Sequence, residues 1–417
     1  EVSSSSSKGV PHSTALAACR ALAHEMPALN SLDTVVGTLL RLLCDPQPSY
    51  RARAVRALAE VLDADASLFA QEQVRLAVSA RLLDTAVSVR SSAVDLVGRH
   101  LLRCTDAASF DEYYRALSVH VVDAGVSVRK QVVHILRAIC AARSGDDPVV
   151  TDACVKLAGR LSDEESVRAL ALRALAELWF SSEAGAAEHA KQLVVVASEC
   201  PRECADEWLG GLLRDVSASN RAVCSKLCDA VVALFSEASG TAHQAQCVRA
   251  LELFAQAAPA LLVPYVPLLV PLLRAIGACS GRPLTAQDCA LAGGLARVLR
   301  RVVPLCCNPS PVDIERMASC FSVLVCAQDA QQPRLVRDCA AALTVVCNAH
   351  PTAGTITPRA RIAGLVDHLC LVLSSEATPS AAATASRLAE WCALYALGVL
   401  CQHSGNFTAA LSQEEEE

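Results

Sequence analysis

Three kinds of side chain in this 417-residue sequence stand where chemistry would need them: paired cysteines, scattered histidines and arginines in step. Cys200 and Cys204, and again Cys224 and Cys228, are four apart, so a helix puts each pair on one face. Such a pair is half of a zinc site. The other half, a C-x-x-C or a histidine pair at ligand spacing, is missing. Cys306 and Cys307 are adjacent and point two ways, which is poor for joint ligation. His120, His134 and His243 have no nucleophile and carboxylate beside them in the pattern of a general base. The phosphate-cradling G-x-x-x-x-G-K-[ST], the G-x-S-x-G elbow and the zinc-binding H-E-x-x-H are all absent. These groups read as packing or surface residues. No cofactor is implied, and a binding scaffold is expected rather than an enzyme.

The 21 cysteines invite a disulfide reading. Cys140, Cys154, Cys320 and Cys347 instead sit inside apolar periods, where cysteine acts as a small core residue. A long helical chain needs no staples, and nothing reads as a signal peptide, so reduced thiols are expected. The chain begins at Glu1 rather than Met, as a piece of a longer protein would. Hydrophobic residues make up 53% and aromatics only 4%, so the apolar content is mostly Ala, Leu and Val. Alanine and leucine favour helix, and small residues let helices approach closely. From Leu253 up to Arg274 no charge occurs, but Pro259, Pro264, Pro267 and Pro271 would break a membrane span. The stretch is expected to be a helix end, a Pro-rich turn and a buried helix.

What positions the arginines is a repeat. Arg51, Arg90, Arg129 and Arg168 follow one another at steps of 39 residues. Asp45, Asp84 and Asp123 keep the same step, each six residues ahead of its arginine; in the fourth unit Asp163 comes one place late. Each unit has room for two helices and a turn, with Asp at the corner and Arg opening the second helix. In the second helices, apolar residues recur at helical spacing: Val89, Ala93, Leu96, Val97 and Leu101, then Val128, Val132, Ile135, Leu136 and Ile139. One such hairpin cannot bury its apolar face alone, so neighbours must stack. The pattern resembles the HEAT-repeat family. That resemblance implies an all-α HEAT-repeat α-solenoid and a ladder between repeats made by Asp45, Asp84, Asp123, Arg51, Arg90, Arg129 and Arg168. Regular repeats are expected over 13–182 and degenerate helical ones over 183–404. Residues 1–12 and the acidic end 405–417 are expected to be disordered.

Net charge is −6, so a nucleic-acid role would need a local stripe rather than bulk charge. Over 41–180 the 18 basic and 18 acidic residues balance, but they are sorted. The four expected second helices carry twelve basic residues against three acids. In a HEAT solenoid these helices line the concave face, as the resemblance implies. Two readings stay open: a basic inner stripe for a polyanion or acidic partner, or arginines used up in structural pairs. Arg53, Arg56, Lys130 and Arg137 lie outside the ladder positions and are the candidates for DNA or partner binding.

The wording of the repeats is more specific than the fold requires. The run from Val87 to Arg99, then Tyr113-Tyr114, Asp123 to Lys130, Asp163 to Arg168 and Glu177-Leu178-Trp179-Phe180 resembles the Nipped-B-like family, the sister chromatid cohesion loader subunit. So do Ala257 to Leu262 and Arg301 to Leu305. The resemblance implies a nuclear protein that loads the cohesin ring onto chromatin. It implies contacts with DNA, the kleisin and the SMC subunits, and stimulation of the SMC ATPase without hydrolysis of its own. It also implies a TPR-rich partner subunit, engaged through a region absent from this sequence, and no membrane. The rival classes are another HEAT adaptor (a condensin or cohesin regulator, a transport receptor, a phosphatase scaffold) and a degenerate solenoid inside a larger enzyme.

Overall fold

A computed structural model describes residues 27–181, 185–277, 284–307, 309–326, 333–349, 362–367, 369–370 and 393–402. Among them there is no β-strand, and the all-α HEAT-type fold expected from the repeats is the one observed. The expected disordered ends, 1–12 and 405–417, lie outside the described residues. The chain divides into two units, one of residues 1–143 with 163–170, the other of 144–162 with 171 onwards.

In the first unit, α1 (Pro27–Leu42) packs with α2 (Pro48–Ala64) and α3 (Glu72–Leu82) with α4 (Val87–Arg103), while α5 (Ala107–Ser118) and α6 (Val126–Ala142) both pack on the short turn Val119–Val122 between them. The second helices stack in succession, α2 on α4 and α4 on α6. All ten apolar residues picked from α4 and α6 by periodicity are buried. Gly98 lies where α4 meets α6: a Cβ there would stand 2.4 Å from Cδ1 of Ile135. An added methyl would have to displace the Ile135 side chain. Tyr113 and Tyr114 are also core, Tyr113 packing edge-on against Phe69 and His100.

In the second unit, α7 (Pro148–Ala158) packs on α9 (Ala186–Glu199). The helix α8 (Glu165–Phe180) gives its first turns to the first unit and the rest to the second. Trp179 is buried and donates from Nε1 to Oε1 of the fully buried Gln192, 3.0 Å away, whose amide nitrogen donates to the Gly145 carbonyl. Next comes a helical run, α10, made of Arg202–Cys204, a π turn Ala205–Leu209 and Gly210–Ser219. Then follow α11 (Arg221–Glu237), α12 (Thr241–Ala257), α13 (Val266–Gly277), α14 (Ala286–Val302), α15 (Pro311–Cys326) and α16 (Pro333–Ala349). Helices α12, α14 and α16 pack side by side in that order, and α13 packs on α15. The proline-rich stretch is the expected helix end, followed by the short turns Pro259–Leu261 and Val263–Tyr265 and by a helix that is buried on one face only, through Val266, Leu269, Val270, Leu273 and Ile276, with Leu268 exposed. No helix of the described residues is long and apolar enough to cross a membrane.

Cys140, Cys154, Cys320 and Cys347 are core residues. Burial pushes the Cys200 and Cys224 thiols up to about 11, and Cys228 higher still. Burial in apolar surroundings makes these thiols less readily ionised than surface ones. Among the described residues no cluster of His, Cys, Asp and Glu is arranged to hold a metal ion.

Candidate partner-binding site

The ladder arginines explain why the repeat keeps its step. Asp84 folds its own corner by accepting the Ala86 amide on Oδ1, and Asp123 does the same with the Gly125 amide. Each carboxylate also receives the arginine of the preceding repeat. Arg51 donates from Nε and Nη2 to Asp84 at 2.8 and 2.7 Å, and Arg90 to Asp123 at 2.7 Å in both bonds. The remaining nitrogen, Nη1, turns back onto carbonyls of its own corner: Asp45 and Pro46 for Arg51, Asp84 and Thr85 for Arg90. Only a planar guanidinium satisfies two acceptors ahead and two behind. These contacts hold Asp84 below the usual carboxylate range, through Arg51 first, and Asp123 at about 2, through Arg90 first.

The third rung corrects the register. Arg129 donates in the same fork to Asp163, at 2.9 and 2.8 Å, although Asp163 is one place late in sequence. Helix ends have enough latitude at the corner to absorb one residue. Arg168 shows the backward half of the clamp, donating to the Asp163 carbonyl. Asp45 accepts the Gln47 amide on its side chain, and the direction in which a rung would precede it lies outside the described residues.

Of the twelve basic residues on the second helices, most are structurally engaged. Arg99 meets Glu60, Asp63 and Asp95 at 2.9–3.1 Å, and Arg103 meets Asp63. Arg143 lies over the Phe110 ring, and Arg173 pairs with Glu177. Arg53, Arg56 and Lys130 stand apart from these pairs. Arg53 and Arg56 share the exposed face of α2; Arg137 is exposed and Lys130 half-buried on one face of α6. Helix α4 lies between α2 and α6, so the structure brings the four together as two pairs rather than as one patch.

Sequence reasoning missed a second charged assembly, built on α12, α14 and α16. Glu252 is buried in the middle of α12, with 5% of its side chain exposed. Its Oε2 accepts from Arg202 at 2.8 Å and from Arg249 at 3.1 Å, and its Oε1 from Arg297 at 2.6 Å. Arg249 also meets Asp206 at 2.8 Å, and Arg297 also meets Asp338, beside which Arg337 lies. Burial pushes Glu252 up, yet its arginines outweigh burial and hold it below the ordinary value. Burial likewise disfavours charge on Arg297, and Glu252 and Asp338 more than restore it. The adjacent Gly293 and Gly294 permit this: a Cβ on Gly294 would reach 2.4 Å from Val248 and 2.9 Å from Oε1 of Glu252. That glycine pair inside a helical run was the available signal.

The rungs of the first unit and the buried charged cluster of the second each tie neighbouring helices together. The family model described as "Sister chromatid cohesion protein PDS5 protein" matches residues 14–205. The Nipped-B protein of Drosophila melanogaster is 27% identical over 353 residues, 77% of this chain and 16% of its own length. Nipped-B-like protein A of Danio rerio is 28% identical over 411 residues, 92% of this chain and 16% of its own length. The chain is thus similar to Nipped-B proteins over most of its length. Human Nipped-B-like protein, 29% identical over 70% of the chain, agrees, with 11% of its own length covered. Among solved structures, the C-terminal fragment of the cohesin loader SCC2 of Chaetomium thermophilum superimposes with a TM-score of 0.62 at 17% identity, covering 93% of this chain and 34% of that one. At that identity the likeness is one of fold. The chain spans a small part of the length of the curated relatives it matches.

Proposed function

We propose that this chain is the HEAT-repeat scaffold of a cohesin loader, which binds the cohesin complex through its SMC and kleisin subunits, binds DNA, and promotes loading of the ring on chromatin in the nucleus. The observation that carries this reading is the likeness to Nipped-B proteins over 70–92% of the chain. In this reading the chain performs no chemistry. Its rungs fix the spacing of the hairpins, and Arg53, Arg56, Lys130 and Arg137 supply the contacts to phosphate or acidic side chains. A TPR-rich partner subunit engages a region outside this sequence.

Retention of purified cohesin, with and without DNA, tests the reading. The wild-type chain is expected to retain cohesin and to bind DNA with a steep salt dependence. Charge reversal at the four candidates is expected to weaken binding and flatten that dependence while helicity is unchanged. Unaltered binding and salt slope remove the basic pairs from the interface; failure to retain cohesin at all removes the loader reading. The match to the PDS5 model favours a second reading, a cohesin regulator. A loading assay separates the two, because only a loader increases the amount of salt-resistant cohesin on circular DNA.

A further inference from the structure

The charged assembly of the second unit contains more arginine than its carboxylates use. Arg202, Arg249 and Arg297 surround Glu252, and Asp206 and Asp338 close the ends of the chain of pairs. Beyond Asp338 the side chains of Arg297, Arg300, Arg301 and Arg337, with Asp338, line a cavity of about 300 Å³. Arg300, Arg301 and Arg337 are exposed at its mouth. Arg300 and Arg301 form no ion pair with any described residue, and the Nε of Arg337 reaches Asp338 only at 3.6 Å. Burial first and the neighbouring Arg300 second push Arg301 below the ordinary arginine value, and the more distant Asp206 and Glu252 only partly offset them.

The dipole of α14 accounts for basic residues in its last turn, where Arg300 and Arg301 lie. It does not account for Arg337 facing the same cavity from α16. Guanidinium groups converge here from two helices, and the helices are locked together by the Glu252–Arg297–Asp338 pairs beneath. The forks are therefore presented on a rigid base, which lowers the ordering cost of gripping an anion. A planar fork fits the tetrahedral oxygens of phosphate in pairs, and arginine clusters are the usual readers of phosphorylated segments.

We propose that this cavity is a recognition site for a single phosphorylated side chain on a segment of a partner protein, gripped by Arg300, Arg301 and Arg337 over a floor of Arg297 and Asp338. A dianionic phosphate matches the excess charge at the mouth. Duplex DNA fits less well. It offers a row of phosphates to an extended track, whereas this cavity is local and carries Asp338 in its wall.

The test uses the full chain and three labelled probes: a peptide pool with one fixed phosphoserine and degenerate flanks, the same pool with serine, and a short DNA duplex. Fluorescence anisotropy is expected to show about tenfold tighter binding of the phosphorylated pool, with inorganic phosphate competing. The double variant Arg300→Glu with Arg301→Glu is expected to abolish that preference and keep the thermal midpoint. Arg300→Lys with Arg301→Lys keeps the charge, loses the forks and should fall between. Arg337→Glu, on the other helix, gives the same loss by an independent route. Equal binding of the two pools overturns the proposal, as does a preference that survives both reversals. Tight duplex binding lost in these variants, with no phosphoserine preference, overturns it in favour of a nucleic-acid backbone site.

Discussion

Arg90 holds two hairpins at once: Nε and Nη2 grip Asp123 at 2.7 Å, while Nη1 donates to the carbonyls of Asp84 and Thr85 in its own corner. Both side chains are largely buried, at 13% and 7% exposed. Removing the guanidinium would leave the Asp123 carboxylate in a poorly solvated site without its main partner. Arg90→Ala is expected to cost on the order of 2 kcal/mol, and Arg129→Ala a similar amount. Arg90→Lys should recover only part of this, because an ammonium cannot bridge acceptors on both sides. Urea unfolding measures the loss. A change below about 0.5 kcal/mol would mean that the rungs are ornamental surface pairs.

The same rungs set an acid limit. Arg90 holds the Asp123 carboxyl at about 2, and Arg51 holds Asp84 below its ordinary value. An unfolded aspartate titrates near about 4. A group with a depressed folded pKa adds stability above the unfolded value and loses it as pH falls through the folded one. The first unit is therefore expected to keep its ladder contribution at neutral pH and to lose it progressively from about pH 4 towards about 2. Asp123→Asn should be less stable at pH 7 and show a shallower decline on acidification. Parallel stability curves for the variant and the wild type would falsify this assignment.

Much of the first unit is legible in its sequence, for a physical reason. A rung needs Arg and Asp at fixed places in each hairpin, so the constraint is printed in the sequence as a 39-residue step. Asp163 shows the limit of that reading: the fork closes on it although it breaks step, since a corner tolerates one residue more than a helix does. The second unit hid its ladder. Its rungs join Glu252 to Arg297 across 45 residues and Arg297 to Asp338 across 41, so no single period finds them. Glu252 stands between Leu251 and Leu253 and looks like one charge in an apolar run. The two pairs of candidate basic residues were legible as types, but not as separated by α4, because sequence does not say which helices intervene.

Gly98 offers a test of packing independent of charge. An added methyl would stand 2.4 Å from Cδ1 and 2.5 Å from Cγ1 of Ile135, too close for ordinary contact. Gly98→Ala gains helix propensity but must push α4 from α6, and a net loss of about 1–3 kcal/mol is expected. Ile135→Ala alone should destabilise by opening a cavity. Together they should cost clearly less than the sum, because the new methyl occupies part of the space the isoleucine leaves. Additive losses in a double-mutant cycle would show that the close approach of these two helices does not limit residue 98.

Glu252 should be the most sensitive charged position in the second unit. It is almost wholly buried and is the shared acceptor of Arg202, Arg249 and Arg297, which come from three helices. Glu252→Ala leaves those guanidinium groups close together with a cavity in place of their counter-charge. Breaking a buried ionic cluster on one side is expected to cost on the order of 3–5 kcal/mol. Glu252→Gln keeps the shape and one acceptor oxygen but turns an amide N–H₂ towards an arginine, so it should fall between the alanine variant and the wild type. Replacing Arg202, the most exposed of the three, should cost least, because its head group is half in water. Hydrogen exchange of the α12 and α14 amides, measured alongside the thermal midpoint, locates the damage. If exchange there stays slow in Glu252→Ala, the helices are held by apolar packing alone, and the buried charges serve only to fix which faces meet.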